Sequence, residues 1–155
     1  METFIERTVG ADPMKIYGLA AAVEDWPRIL PHYRWVRVLS SDRPDARLVD
    51  MAARRDVVGR LGIPLRWTAV QRLYPREARI EFDHVGGVTR GMRVEWTIRP
   101  GSPDASTVIV RIRHVFQPSW PLPDRIVQAV LGEYFVNGVA RRTLGRIAEL
   151  AQRPS

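Results

Sequence analysis

Cysteine is absent from this chain of 155 residues. Disulfides, thiol nucleophiles and Cys-ligated zinc are excluded together. Lysine is nearly absent too. Lys15 is the only one, so the 24 basic residues behind the +7 net charge are otherwise arginine. They are scattered, with no run of five or six like charges, and read as a solvated basic exterior. No RNA- or DNA-binding motif accompanies them, so nucleic acid is not an expected partner. No apolar run approaches the roughly 20 residues that span a bilayer, so stable membrane insertion is not expected. The first residues, Met1-Glu-Thr-Phe-Ile-Glu-Arg7, lack the apolar segment of a secretory signal. Together these absences lead to the expectation of a cytoplasmic protein. Gly-x-Ser-x-Gly, P-loop and Gly-x-Gly-x-x-Gly motifs are missing as well. Three histidines without matched carboxylate spacing make no metal site, and no cofactor is expected.

What is present suffices for one domain with a sizeable core, at 45% hydrophobic residues. Residues 2–9 read as a strand. Asp12-Pro13 then supplies an N-cap followed by proline at the first helical position, opening a helix to about Val23. Pro27 and Pro31 break it and leave a short helical turn between them. Beyond Pro31 the apolar pattern changes to period two. Candidate strands lie near 33–41, 46–57, 63–74, 77–86, 91–99 and 106–117, separated by polar or Gly/Pro-rich breaks. Short connections between them imply antiparallel hairpins.

The alternation assigns faces. Met92, Val94, Trp96 and Ile98 point one way and Arg93, Glu95, Thr97 and Arg99 the other. Val108, Val110, Ile112, His114 and Phe116 oppose Arg111 and Arg113. Ala78, Ile80, Phe82 and His84 share the inward face of the 77–86 strand. One dry and one wet face describe a one-sided sheet. After the rigid Pro118–Asp124 link, a helix runs to about Gln152, with its first half expected to be the more enclosed. It is the only element long enough to cover such a sheet. Gly132 and Gly138 within it read either as close packing against the sheet or as room for a ligand.

Several side chains are chemically suggestive. His84 and His114 fall on inward faces, where an imidazole is either a satisfied core group or an acid/base near neutral pH. His32 sits in the Pro31 turn and reads as exposed. Trp67, Ala69 and Gln71 share an inward parity, which leaves Arg72 on the opposite face. Tyr134 and Asn137 stand three apart on the last helix, as a phenol and an amide able to orient a carbonyl or hydroxyl. Arg55 is a further polar candidate. Trp26, Tyr33, Trp35, Trp67, Phe82, Trp96, Phe116 and Trp120 are the aromatic candidates for lining an apolar cavity, and tryptophan is equally a common core residue.

The turn Glu24-Asp-Trp-Pro-Arg-Ile-Leu-Pro31 is similar to one in coenzyme Q-binding proteins. The strands Arg66-Trp-Thr-Ala-Val-Gln-Arg72 and Gly91-Met-Arg-Val-Glu-Trp-Thr97 are similar to those of monodomain polyketide aromatase/cyclases. With the order strand, two short helices, six strands, long helix, the whole chain resembles the START-like (SRPBCC) superfamily of polyketide cyclase/dehydrase and lipid transport proteins. The resemblance implies an α+β helix-grip fold, in which a curved antiparallel seven-stranded sheet wraps around a long C-terminal helix, over residues 1–155 as one ligand-binding domain. It also implies that the loops around Trp26 and Trp120 form the mouth of a cavity. In the aromatase/cyclases a serine and an arginine follow the first tryptophan on its own face; here Ala69 and Gln71 hold those places.

Three functions compete at this level. A binding module would hold a lipid, isoprenoid or polyketide-like molecule without turnover. A cyclase would add acid/base chemistry from His84, His114, Gln71 and Tyr134. An adaptor would use the basic exterior at a membrane surface. The sequence leaves ligand identity and oligomeric state open.

Overall fold

The computed structural model describes residues 1–55, 63–87, 89–104, 106–118 and 121–154, with backbone alone for residues 42, 55, 63, 64, 130, 133 and 134. Seven strands form one antiparallel, curved sheet: β1 Glu2–Val9, β2 Tyr33–Arg43, β3 Ala46–Arg55, β4 Ile63–Tyr74, β5 Arg79–Gly87, β6 Met92–Pro100 and β7 Val108–Phe116. Their order is β1-β7-β6-β5-β4-β3-β2. From β2 to β7 the sheet is thus a run of neighbouring hairpins, and β1 closes onto the last of them. β1 and β2 stand at opposite edges. Helices α1 (Pro13–Ala21) and α2 (Trp26–Ile29), joined by a 3₁₀ turn at Val23–Asp25, make the crossing.

Helix α1 begins as its sequence predicts. The Asp12 carboxylate accepts a hydrogen bond from the Met14 amide at 2.7 Å, and Pro13 sits in the first turn. The C-terminal cover starts as α3 (Asp124–Gln128), widens into a π-wound stretch at Ala129–Ala140 and ends as α4 (Arg141–Ala151). Most of α3 is exposed, including Ile126, and Val127 is its buried residue; denser enclosure begins at Leu131, later than the sequence pattern suggests. A Cβ at Gly132 would meet nothing within 4 Å, so close packing does not explain that glycine.

The predicted faces of β6 and β7 hold: Met92, Val94, Trp96 and Ile98, and Val108 through Phe116 at every second residue, are buried. The 77–86 strand starts later than its pattern. Pro75–Glu77 forms a 3₁₀ turn and Ala78 takes a left-handed φ of 48°, so β5 begins at Arg79. Outward, the arginines face carboxylates across the strands. Arg72 and Arg93 both pair with Asp83, Arg99 and Arg111 with Glu6, and Arg113 with Glu2. This ladder gives the basic exterior a cross-strand order.

The β5–β6 turn is built on glycine. Gly87 and Gly91 have φ of +87° and +97°, and a Cβ on Gly91 would lie 2.2 Å from the Gln117 carbonyl oxygen. Both the φ and the clash oppose any side chain there. Gly91→Ala should therefore cost about 2 kcal/mol or more, read as a lowered urea midpoint at unchanged m value.

Candidate functional site

The sheet's inner face and the C-terminal helix enclose a cavity of about 40 Å³. That is room for roughly three waters and far short of the ~300 Å³ at which drug-sized sites begin. Alternate residues supply its sheet side: Met51 from β3, Trp67 from β4, Phe82 and His84 from β5, Val94 and Trp96 from β6, Ile112 and His114 from β7. Phe135, Val139, Ala140 and Thr143 line it from the helix, at the spacing of one helical face. Trp26 and Tyr33 close it from α2 and the start of β2.

Rings dominate the walls. Trp26 lies 5.0 Å from Tyr33, 6.1 Å from Phe82 and 6.3 Å from Trp96, centroid to centroid. Its indole N–H donates to the Leu19 carbonyl at 3.0 Å, which fixes it against α1. Trp67 stacks flat on His84 at 5.8 Å with a 2° interplanar angle. Phe135 meets both edge-on, at 5.2 and 5.7 Å.

Polar groups gather at two places. At the first, the Gly87–Gly91 turn brings buried Thr89 back beneath β5, where its hydroxyl lies 2.7 Å from His84 Nδ1. Burial, and next the neighbouring His114, pull the His84 pKa down to about 3. Burial alone pulls His114 down to about 4. Both imidazoles are neutral at pH 7. His114 Nδ1 is buried with no hydrogen-bond partner among the described residues. At the second place, Thr143 Oγ1 donates to the Val139 carbonyl at 2.9 Å and lies 3.0 Å from His32 Nε2. The Tyr33 phenol is buried at the same end of the cavity, and burial pushes its pKa up. His32 is buried, not exposed as its turn suggests.

Of the residues singled out from sequence, the cavity gathers Trp26, Tyr33, Trp67, Phe82, His84, Trp96 and His114. Phe116 is buried beyond it and faces a separate groove with Pro118, Leu122 and Val127. Gln71 points inward, as its parity predicts, but is bound elsewhere. Its oxygen accepts from Arg47 Nε and Nη2 at 3.0 and 2.7 Å, and its amide donates to the Ala21 carbonyl at 2.9 Å. Trp35 lies on the outer face. An extra residue in β2 between Tyr33 and Trp35 reverses the parity, leaving its indole 3.4 Å from Asp50 Oδ2. Asn137 faces solvent and accepts from Arg141 Nε at 3.0 Å; in a π-wound stretch a spacing of three does not keep two residues on one face. Arg72 sits on the outer face, as predicted, paired with Asp83. Trp120 lies outside the described residues, as do the side chains of Tyr134 and Arg55.

Sequence reasoning passed over Thr89 and Thr143. Thr143 carried a signal, lying four and eight residues beyond Val139 and Phe135 on the same stripe. Thr89 carried none, since only the folded turn brings it to His84.

The sequence profile of polyketide cyclase / dehydrase and lipid transport proteins matches residues 9–141. The chain belongs to this family. No curated protein matches it in sequence. Among solved structures, the cyclase/dehydrase family member is similar to TTHA0849 of Thermus thermophilus, at TM-score 0.75 and 16% identity over 96% of this chain and 95% of that one. It is similar to the Zhui aromatase/cyclase of Streptomyces sp. R1128, at TM-score 0.74 and 20% identity over 99% and 94%. A START superfamily protein from Mycobacterium smegmatis aligns at TM-score 0.69 and 17% identity, over 96% and 98%. At these identities the likeness establishes the helix-grip fold and leaves the ligand to be argued from the site.

Proposed function

We propose that the protein binds a hydrophobic small molecule, lipid-, isoprenoid- or polyketide-like, in the cavity between sheet and C-terminal helix. The observation that carries this reading is the enclosed aromatic box with a few polar groups set into apolar walls, the usual form of a small-molecule site. The chain's family, and the aromatase/cyclase and START proteins it resembles in fold, support it. A binder is favoured over an acid/base enzyme because His84 and His114, at about 3 and 4, stand well below the operating pH that proton transfer requires. Gln71, the third candidate for that chemistry, is held by Arg47 and Ala21.

The cavity holds only about 40 Å³, so a ligand of several rings fits only as the box widens. No described helix is long and apolar enough to cross a membrane. The paired outer arginines support a solvent-facing exterior rather than a nucleic-acid surface. Native mass spectrometry of the purified protein, followed by denaturing extraction, tests the reading. One chemically intact hydrophobic molecule per chain is the expected result. A protein that purifies empty and takes up no apolar probe would overturn it.

A further inference from the structure

Among the described residues, no Arg, Lys, Asp or Glu lines the cavity. Several charged side chains of the surrounding strands are matched on the outer face. Arg66 holds Asp50 through two bonds at 2.9 and 3.0 Å, and Arg72 and Arg93 hold Asp83. Arg47 is more enclosed, but its guanidinium serves Gln71, the Ala21 carbonyl and, at 3.0 Å, Glu24. An ionised group on a ligand would therefore lose its water and gain no counter-charge, which is the costly case of burial.

The two polar places differ in what they can still accept. The Thr143 hydroxyl has its proton on Val139 and its oxygen 3.0 Å from His32 Nε2, so it has no proton left to donate to a ligand. At the histidine pair, His84 Nδ1 is held by Thr89, but His114 Nδ1 is without a partner among the described residues. A neutral imidazole carries one donor and one acceptor, and a hydroxyl can answer either.

We infer that the cavity selects an uncharged ligand carrying a hydroxyl (a phenol, enol or alcohol), with that group at His84 and His114 and its apolar body among Trp26, Trp67 and Phe135, and that it rejects carboxylates. This rests on the binding function proposed above and adds the chemical class.

The test uses three probes of one size at neutral pH, para-ethylphenol, ethylbenzene and para-ethylbenzoate, titrated into the full chain by calorimetry. A single ring demands the least widening of the box. The phenol should bind about fivefold tighter than ethylbenzene, the worth of one neutral hydrogen bond. The benzoate should bind at least about a hundredfold more weakly than the phenol. His114→Phe should bring the phenol and ethylbenzene together, and His114→Gln, which keeps a donor and an acceptor, should retain the phenol's advantage; the unsubstituted protein alone decides the charge question if either variant misfolds. Benzoate binding as tight as phenol overturns the inference and leaves the binding function standing. Equal binding of phenol and ethylbenzene to the unsubstituted protein overturns the hydroxyl assignment. Binding of none of the three overturns the proposed function together with this inference.

Discussion

Moving from pH 7 to pH 5 should remove about 4 kcal/mol of folding stability, through two side chains. His84 and His114 have folded pKa values of about 3 and about 4, below the ordinary histidine value near 6.5. For a base, a depressed folded value means that the unfolded chain takes a proton the native chain refuses. Their contribution is complete above about pH 6.5 and is lost as the pH falls below it, down to the folded pKa. At pH 5 the unfolded histidines are almost fully charged, and each withholds about 2 kcal/mol from the folded state. The Asp83 carboxylate beside His84 opposes this shift without reversing it. Carboxylates titrate mostly below this window, so the interval isolates the histidines. Urea midpoints measured across it should fall steeply for the native chain and stay nearly level for the His84→Phe/His114→Phe double variant. A native midpoint that barely moves would refute the neutral, buried pair.

Trp26→Ala should cost about 3–5 kcal/mol, the usual range for removing a buried aromatic from a packed core. The indole is 3% exposed, contacts three other rings and donates to the Leu19 carbonyl. Its removal opens the box on the side away from the sheet, where a short helix has no ladder to hold it. Trp26→Phe keeps much of the area but loses the N–H bond, and should cost only about 1–2 kcal/mol. Equilibrium unfolding of the two variants, followed by far-ultraviolet circular dichroism, gives both numbers. A Trp26→Ala loss below about 1 kcal/mol would mean that α2 packs equally well without its ring.

The fold was readable because hydrophobic alternation is a local property. Val94, Trp96, Ile112 and His114 could be assigned inward from neighbours in the chain alone, and each is buried. The parity of Trp67 and Gln71 was also correct, yet parity says only which way a side chain points. Gln71 and Arg47 face each other because β3 and β4 pair in the register Arg47↔Gln71, which no single strand records. Trp35 shows the opposite failure, since one inserted residue in β2 turns the strand over. His32 is buried through a partner 111 residues away, Thr143. Asn137 was placed by an α-helical spacing that the wider winding of Ala129–Ala140 does not keep. Local pattern thus delivered the walls of the cavity, while its polar fittings depend on register, bulges and helix winding.

The place of β1 beside β7 joins Glu2 to Val115, more than a hundred residues apart. Strands β2 to β7 pair each with the next and can be laid down as they are synthesised. β1 has no partner until β7 exists. At translation rates of about 5–20 residues per second, it waits on the order of ten seconds. Throughout that interval Ile5 and Val9, both buried in the finished fold, are exposed to the cell. The charges interleaved in the same strand, Glu2, Glu6 and Arg7, are the type that discourages pairing with another chain. The N-terminal strand is therefore the segment where nascent-chain chaperones would find the longest opportunity.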